Sequence, residues 1–126
     1  LINPEAVHHQ VVGGAVQGLG QALLEAVRVD DAGQPLTGSF MDYAMPRADH
    51  VPAIDVIHLP QLAGEGFAPR GVGELGTSGA PAAIFNAVND ALATANAAID
   101  ALPATSQNVW QALRDGSERH PARGSV

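Results

Sequence analysis

A chain of 126 residues, 46% of them hydrophobic, suffices for one globular domain with a modest core. Six basic against thirteen acidic residues give a net charge of -7, which excludes a phosphate-tracking nucleic-acid surface. With no cysteine, disulfides, thiolate-bound zinc and cysteine-held iron–sulfur clusters are excluded within these residues. No apolar run reaches bilayer-spanning length and no basic-then-apolar leader opens the chain. The expected location is therefore cytoplasmic, unless a leader lies on sequence further upstream.

Leu1 stands where an initiator methionine would, and Leu1-Ile2-Asn3-Pro4-Glu5 reads as a helix start in mid-protein, so a fragment is expected. Asn3 can cap, Pro4 suits the first helical position and Glu5 complements the positive end of the dipole. Over residues 5–27, Val7, Val11, Ala15, Leu19, Ala22, Leu23 and Ala26 recur at the spacing of one buried helical stripe. Gly13, Gly14, Gly18 and Gly20 interrupt it, at about 1 kcal/mol each against alanine. Gln10, Gly14, Gln17 and Gln21 form an uncharged stripe at i, i+4, i+7 and i+11. Such a stripe suits a buried polar ligand, and equally suits close helix packing through small residues with glutamines at the margin.

Residues 26–37 read as a hairpin turning at Asp30-Asp31-Ala32-Gly33, with Gly33 in the left-handed position. Residues 39–45 alternate as a strand stopped by Pro46, and residues 53–59 form a further candidate strand. A second long helix is expected over residues 79–99, marked by Ile84, Val88, Leu92, Ala95 and Ile99. A short amphipathic helix over residues 108–113 follows, docked by Trp110. Residues 116–126 read as a flexible polar tail, leaving residues 1–115 as the folded unit. The fold class expected is α+β, two long helices packed on a small, mostly antiparallel sheet.

Between the last strand and the second helix lies Arg70-Gly71-Val72-Gly73-Glu74-Leu75-Gly76-Thr77-Ser78-Gly79-Ala80-Pro81, with Thr77 or Ser78 as cap and Pro81 in the first turn. Its glycines allow positive φ and close approach to another body. The string Gly71-x-Gly73-x-x-Gly76 also matches a dinucleotide fingerprint, which requires an apolar strand running into the first glycine. Here residues 64–70 are broken by two glycines and a proline, and Glu74 would repel a pyrophosphate, so that reading is rejected. The histidines have no metal-ligand spacing, since His8 and His9 diverge on a helix and His50 and His58 are far apart. No side-chain metal site is expected, and Ser78 lacks the context of a nucleophile. Glu74 stands out as a carboxylate just before a helix N-terminus, where the dipole favours the charge a general base must carry.

Three separated motifs carry a family resemblance. They are Gly13-Gly14-Ala15-Val16-Gln17-Gly18-Leu19-Gly20-Gln21-Ala22-Leu23, then Leu36-Thr37-Gly38-Ser39-Phe40-Met41-Asp42-Tyr43 with Pro46, then Gly71-Val72-Gly73-Glu74 with Gly76 and Gly79-Ala80-Pro81-Ala82-Ala83. In this order they resemble the C-terminal part of the molybdopterin-binding large subunit of the xanthine dehydrogenase, aldehyde oxidase and aerobic carbon monoxide dehydrogenase family. The likeness covers residues 2 to about 115.

The resemblance implies a partial molybdenum-cofactor-binding domain with Glu74 as the active-site glutamate. It implies cofactor contacts from Gln17, Gly14, Gly71, Gly73 and Arg70, where many relatives carry lysine before the Gly-Val-Gly-Glu motif. The activity implied is oxidative hydroxylation of an aldehyde, an N-heterocycle or carbon monoxide, with water as oxygen source. The cofactor implied is molybdenum-molybdopterin, in its cytosine dinucleotide form, shared with domains outside this chain. Iron–sulfur clusters and FAD are expected only on partner domains or subunits. The expected partners are the remainder of the large subunit, iron–sulfur and flavin subunits and a small-molecule substrate, with the full complex a homo-oligomer. The alternative is a non-catalytic truncated remnant or interaction module of the same family.

Overall fold

The computed structural model describes residues 1–59 and 70–119. Residues 60–69, which include most of the approach to the glycine loop, and residues 120–126 of the expected tail lie outside the described residues. Three α-helices are described: α1 (Pro4–Leu23), α2 (Leu75–Ala93) and α3 (Ser106–Arg119), with a single 3₁₀ turn at Ala48–His50. None of them is long and apolar enough to cross a membrane.

Local chemistry starts α1 where the sequence places it. Asn3 Oδ1 accepts from the Ala6 amide at 3.0 Å, Pro4 opens the first turn and Glu5 follows at its positive end. The helix ends at Leu23, four residues short of the expected 27, as the Leu24 and Glu25 amides both close on the Gly20 carbonyl. A side chain at Gly20 would strike the Pro46 ring and the Glu25 carboxylate, so this glycine admits the returning chain.

α1 and α2 pack against each other through glycines. A Cβ on Gly76 would sit 2.7 Å from the Ala15 amide nitrogen and against the Val11 carbonyl. One on Gly18 would lie 2.6 Å from Ala80 Cβ and 2.9 Å from Pro81 Cδ. Pro81 is therefore inside α2, at its seventh residue rather than in its first turn. It forgoes one i to i−4 hydrogen bond and sets its ring against Gly18.

α2 begins four residues before the expected 79 and stops six before the expected 99. Its end is a Schellman arrangement: the Ala97 amide bonds the Leu92 carbonyl at 3.1 Å, Asn96 bonds Ala93 at 3.0 Å, and Asn96 takes φ 54. Ile99 keeps the apolar spacing without being helical. The Asn89 side chain brackets its backbone, donating to the Ile99 carbonyl at 3.1 Å and accepting from its amide at 2.9 Å.

Thr105 caps α3 through its hydroxyl, which accepts from the Asn108 amide at 3.2 Å. Val109 and Ala112 dock the helix on Leu92 and Ala97. Trp110, the expected anchor, is instead 54% exposed, with the Arg114 guanidinium 5.0 Å above its ring. The helix continues to Arg119, past the 115/116 division expected from the sequence.

The small antiparallel sheet expected from the sequence is absent among the described residues, which are mostly helical. The hairpin survives as a turn with one antiparallel bridge, Val29 to Pro35, and Gly33 takes φ 79 as its turn requires. Residues 39–45 do not extend, because Ser39 gathers the local donors. Its carbonyl accepts from the Asp42 and Tyr43 amides at 3.1 and 2.9 Å, and its hydroxyl bonds Asp42 at 2.7 Å. Residues 53–59 form no ladder. Alternation selects faces, with Ile54 and Val56 half-buried and Ile57 and Leu59 84% and 88% exposed, but it supplies no partner strand.

The buried apolar set among the described residues is Ala22, Leu92, Ala97, Ala104 and Ala112. The Ala104 amide, 2.6 Å from the Ala22 carbonyl, ties the α2–α3 connection to the end of α1. Tyr43 reaches the same region, donating to Glu25 Oε2 at 2.6 Å. That hydrogen bond, partial desolvation and the adjacent negative charge raise the phenol above its ordinary pKa.

Two expectations follow from this packing. Gly76→Ala forces a methyl into α1 backbone and should destabilise the chain by about 1–3 kcal/mol. Gly13→Ala meets no atom within 4 Å and should stabilise it by about 1 kcal/mol. Urea-denaturation midpoints moving in the same direction for both variants would contradict the crossing. The second concerns the only tyrosine in the chain. Because its folded pKa is raised, the Tyr43–Glu25 contribution is fully present below the ordinary phenol pKa and is lost as pH rises through the folded one. Glu25→Gln should bring the ultraviolet phenolate transition down toward the ordinary value.

Candidate functional site

The glycine loop meets α1 at the start of α2. Gln10 Nε2 donates to the Gly73 carbonyl at 2.7 Å, and Thr77 Oγ1 donates to the Gly14 carbonyl at 3.2 Å. Gly14 is buried at the crossing, where a Cβ would fall 3.0 Å from the Thr77 amide nitrogen. Thr77 and Ser78, read as caps from the sequence, lie inside the helix and do other work. Thr77 joins the two helices, and Ser78 returns its hydroxyl to the Glu74 carbonyl at 2.9 Å.

Glu74 itself occupies the N-cap position of α2, with φ -109 and ψ 9, and is exposed. Its carboxylate makes no capping hydrogen bond, while the helix dipole places positive potential beside it. Its backbone is held on both sides. The preceding carbonyl is bonded by Gln10, and its own carbonyl accepts from the Ser78 amide at 3.0 Å and from the Ser78 hydroxyl.

Gly71 and Gly73 are exposed, with negative φ, and a Cβ on either would meet no atom within 4 Å. Positive φ is therefore not their reason here, and nothing in the described fold needs their lack of a side chain. Arg70 is exposed at the edge of the described segment. Gln17 and Gln21 are exposed on α1. The uncharged stripe of α1 thus divides: Gly14 packs on α2, Gln10 reaches the loop before it, and Gln17 and Gln21 are exposed. Gln10 was visible in the sequence as a member of that stripe, but its bond spans 63 residues, a distance no local pattern encodes.

An apolar groove of about 500 Å³ opens elsewhere on the same helices, lined by Leu19, Leu23, Val88, Val109, Trp110 and Leu113 among others. None of the site residues expected from the sequence borders it. No cluster of three or more His, Asp or Glu side chains suited to a metal ion occurs among the described residues.

The exposed groups of this region are thus a glutamate at a helix N-terminus, two open glycines before it and a glutamine on the adjoining helix. Comparison with known proteins identifies the class. Residues 1–52 match the family described as a molybdopterin cofactor-binding domain. The chain is 40% identical over 117 residues to the nicotine 6-hydroxylase large subunit of Paenarthrobacter nicotinovorans, covering 90% of this chain and 14% of that protein. It is 32% identical over 111 residues to the carbon monoxide dehydrogenase large chain of Afipia carboxidovorans, covering 87% of this chain and 14% of that one. The solved structure of quinoline 2-oxidoreductase from Pseudomonas putida 86 superposes with a TM-score of 0.81 at 39% identity, over 91% of this chain and 15% of that one. The chain belongs to the family of molybdopterin-binding large subunits of the molybdenum hydroxylases, which takes in xanthine and carbon monoxide dehydrogenases. It spans 14% of the length of the curated relatives it matches first.

Proposed function

We propose that this chain forms one wall of the active site of a molybdenum hydroxylase large subunit, with Glu74 as the general base of an oxidative hydroxylation. The observation that carries this reading is a carboxylate with no capping partner at the positive end of α2, on a backbone fixed from both sides. The unit expected over residues 1–115, carried by α3 to Arg119, is its C-terminal portion of the molybdopterin-binding domain.

The residues present fit such a cofactor. Open space over Gly71 and Gly73 lets a bound group approach the backbone, and Gln17 offers both an amide donor and an acceptor. Arg70 adds a cation at the loop entrance, and Gly14 serves by admitting the start of α2 to the α1 backbone. When bound, the molybdenum cofactor, proposed in its cytosine dinucleotide form, accepts the two electrons of the oxidation.

An R–H substrate and water become R–OH, releasing two protons and two electrons. Glu74 accepts one of those protons at a carboxylate oxygen as the new carbon–oxygen bond forms. The electrons leave through iron–sulfur and flavin groups on partner domains or subunits, outside these cysteine-free 126 residues. Support for N-heterocyclic substrates comes from the names of relatives at 40% and 39% identity, against 32% for the carbon monoxide dehydrogenase chain.

The remainder of the large subunit is the proposed partner of the exposed apolar faces. Phe40, Met41, Ile57 and Leu59 are each at least 84% exposed, more apolar surface than a self-contained unit leaves in water. The 126-residue chain alone should therefore bind a hydrophobic dye and self-associate. A monomer that leaves the dye dark would count against the docking role.

Glu74→Gln keeps shape and hydrogen bonding but cannot take up a proton. In the assembled enzyme it should lower turnover per molybdenum by at least about 100-fold, with molybdenum content near normal. Gln17→Ala should do the reverse, lowering molybdenum per protein before turnover per metal, through loss of a contact of about 1–3 kcal/mol. Wild-type turnover per molybdenum in Glu74→Gln would remove the general-base assignment.

A further inference from the structure

The backbone leading into Glu74 is exposed at both of its glycines, Gly71 and Gly73. Gly71 and Gly73 touch nothing within 4 Å of where a Cβ would stand, and two glycines within three residues leave the chain more conformational freedom than any other pair would. α1 reaches this stretch through Gln10, whose Nε2 donates to the Gly73 carbonyl at 2.7 Å, the short end of the amide range. That carbonyl belongs to the peptide whose nitrogen is Glu74's own, so its orientation sets the plane from which the glutamate Cα and side chain depart. A turn also spans this peptide, with the Leu75 amide 3.3 Å from the Val72 carbonyl, and Ser78 on the Glu74 carbonyl and Thr77 on Gly14 hold the helical side; Gln10 adds the side-chain contact to it from α1.

From this geometry we propose that Gln10 is a positioning residue for Glu74, tethering the Gly73–Glu74 peptide to α1 so that the carboxylate is presented in one direction. The proposal rests on the reading of Glu74 as general base for its catalytic consequence, though not for the tether itself. The side chain must donate: glutamate at position 10 would set an acceptor against an acceptor at the same length, whereas lysine would keep a donor within reach.

Two measurements test it. In the 126-residue chain, backbone order parameters from 15N relaxation should be near 0.85 (a rough rigid-backbone value) at Gly73 and Glu74. They should fall toward about 0.6 in Gln10→Glu and Gln10→Ala and recover in Gln10→Lys. Unchanged order at these two amides in Gln10→Glu, or a loss of order spread along all of α1, overturns the tether. In the assembled enzyme Gln10→Glu should lower kcat by up to about 100-fold with KM little changed, as a misplaced catalytic group does. In a Glu74→Gln background it should add nothing. Independent, additive losses overturn positioning through Glu74. If Glu74→Gln alone keeps wild-type turnover, the general-base reading falls by itself, and the order parameters still decide the tether.

Discussion

The close approach of α1 and α2 at Gly14 and Gly76 is the constraint on which the rest of the structure depends. α1 gives up about 1 kcal/mol of propensity for Gly14 in its interior, and Gly76 stands in the first turn of α2. In return the backbone of one lies against that of the other, with the Gly76 Cα 3.1 Å from where a Gly14 Cβ would stand. A side chain at either position would drive the axes apart, and a separation of even one ångström would take the Thr77–Gly14 bond of 3.2 Å beyond hydrogen-bond length. Gly18, against Ala80 and Pro81, extends the same contact one turn further.

Everything proposed for Glu74 follows from that seat. α2 starts where its first turn meets α1, which leaves Glu74 as the N-cap residue, at the positive end of the dipole and outside the packed interface. The apolar groove lies on the C-terminal half of α1 and beside Val88 of α2. One helix pair therefore separates a polar end, where chemistry is proposed, from an end with an apolar groove.

What was legible in the sequence was what is local. Asn3-Pro4-Glu5 determines its own helix start, Gly33 its own turn, and the apolar stripes of α1 and α2 identify both helices. The family resemblance was legible because its motifs are contiguous strings. Some failures are local, as at residues 39–45 where Ser39 captures nearby donors, and others turn on a partner outside the pattern that was read. Ile99 satisfies the helical period, yet Asn89 captures its backbone after Asn96 has ended the helix. Residues 53–59 alternate as a strand, yet a ladder needs a second strand that no described residue supplies. Trp110 is the largest apolar side chain of α3, but the smaller Val109 and Ala112 fit the space beside Leu92 and Ala97. Gln10 belonged to a recognised stripe, and only the fold shows which glutamine of that stripe reaches the loop.

The composition of the interior bears on how the site would be held. Alanines and one leucine make up the buried apolar set among the described residues, and no large side chain is fully buried. At about 25 cal/mol per Å², such small side chains contribute little each, whereas exposed side chains such as Ile2, Phe40, Met41, Ile57 and Leu59 leave apolar surface that burial could still remove from water. Two of these side chains connect to α1. Phe40 and Met41 belong to the turn that carries Tyr43, and Tyr43 is bonded to Glu25, two residues beyond the end of α1. Covering that turn would therefore load the helix whose other half seats α2. On the proposed reading, docking of the remaining subunit bears on Glu74 through α1, a helix of 20 residues with the Tyr43–Glu25 contact beyond one end and the Gln10 tether nearer the other.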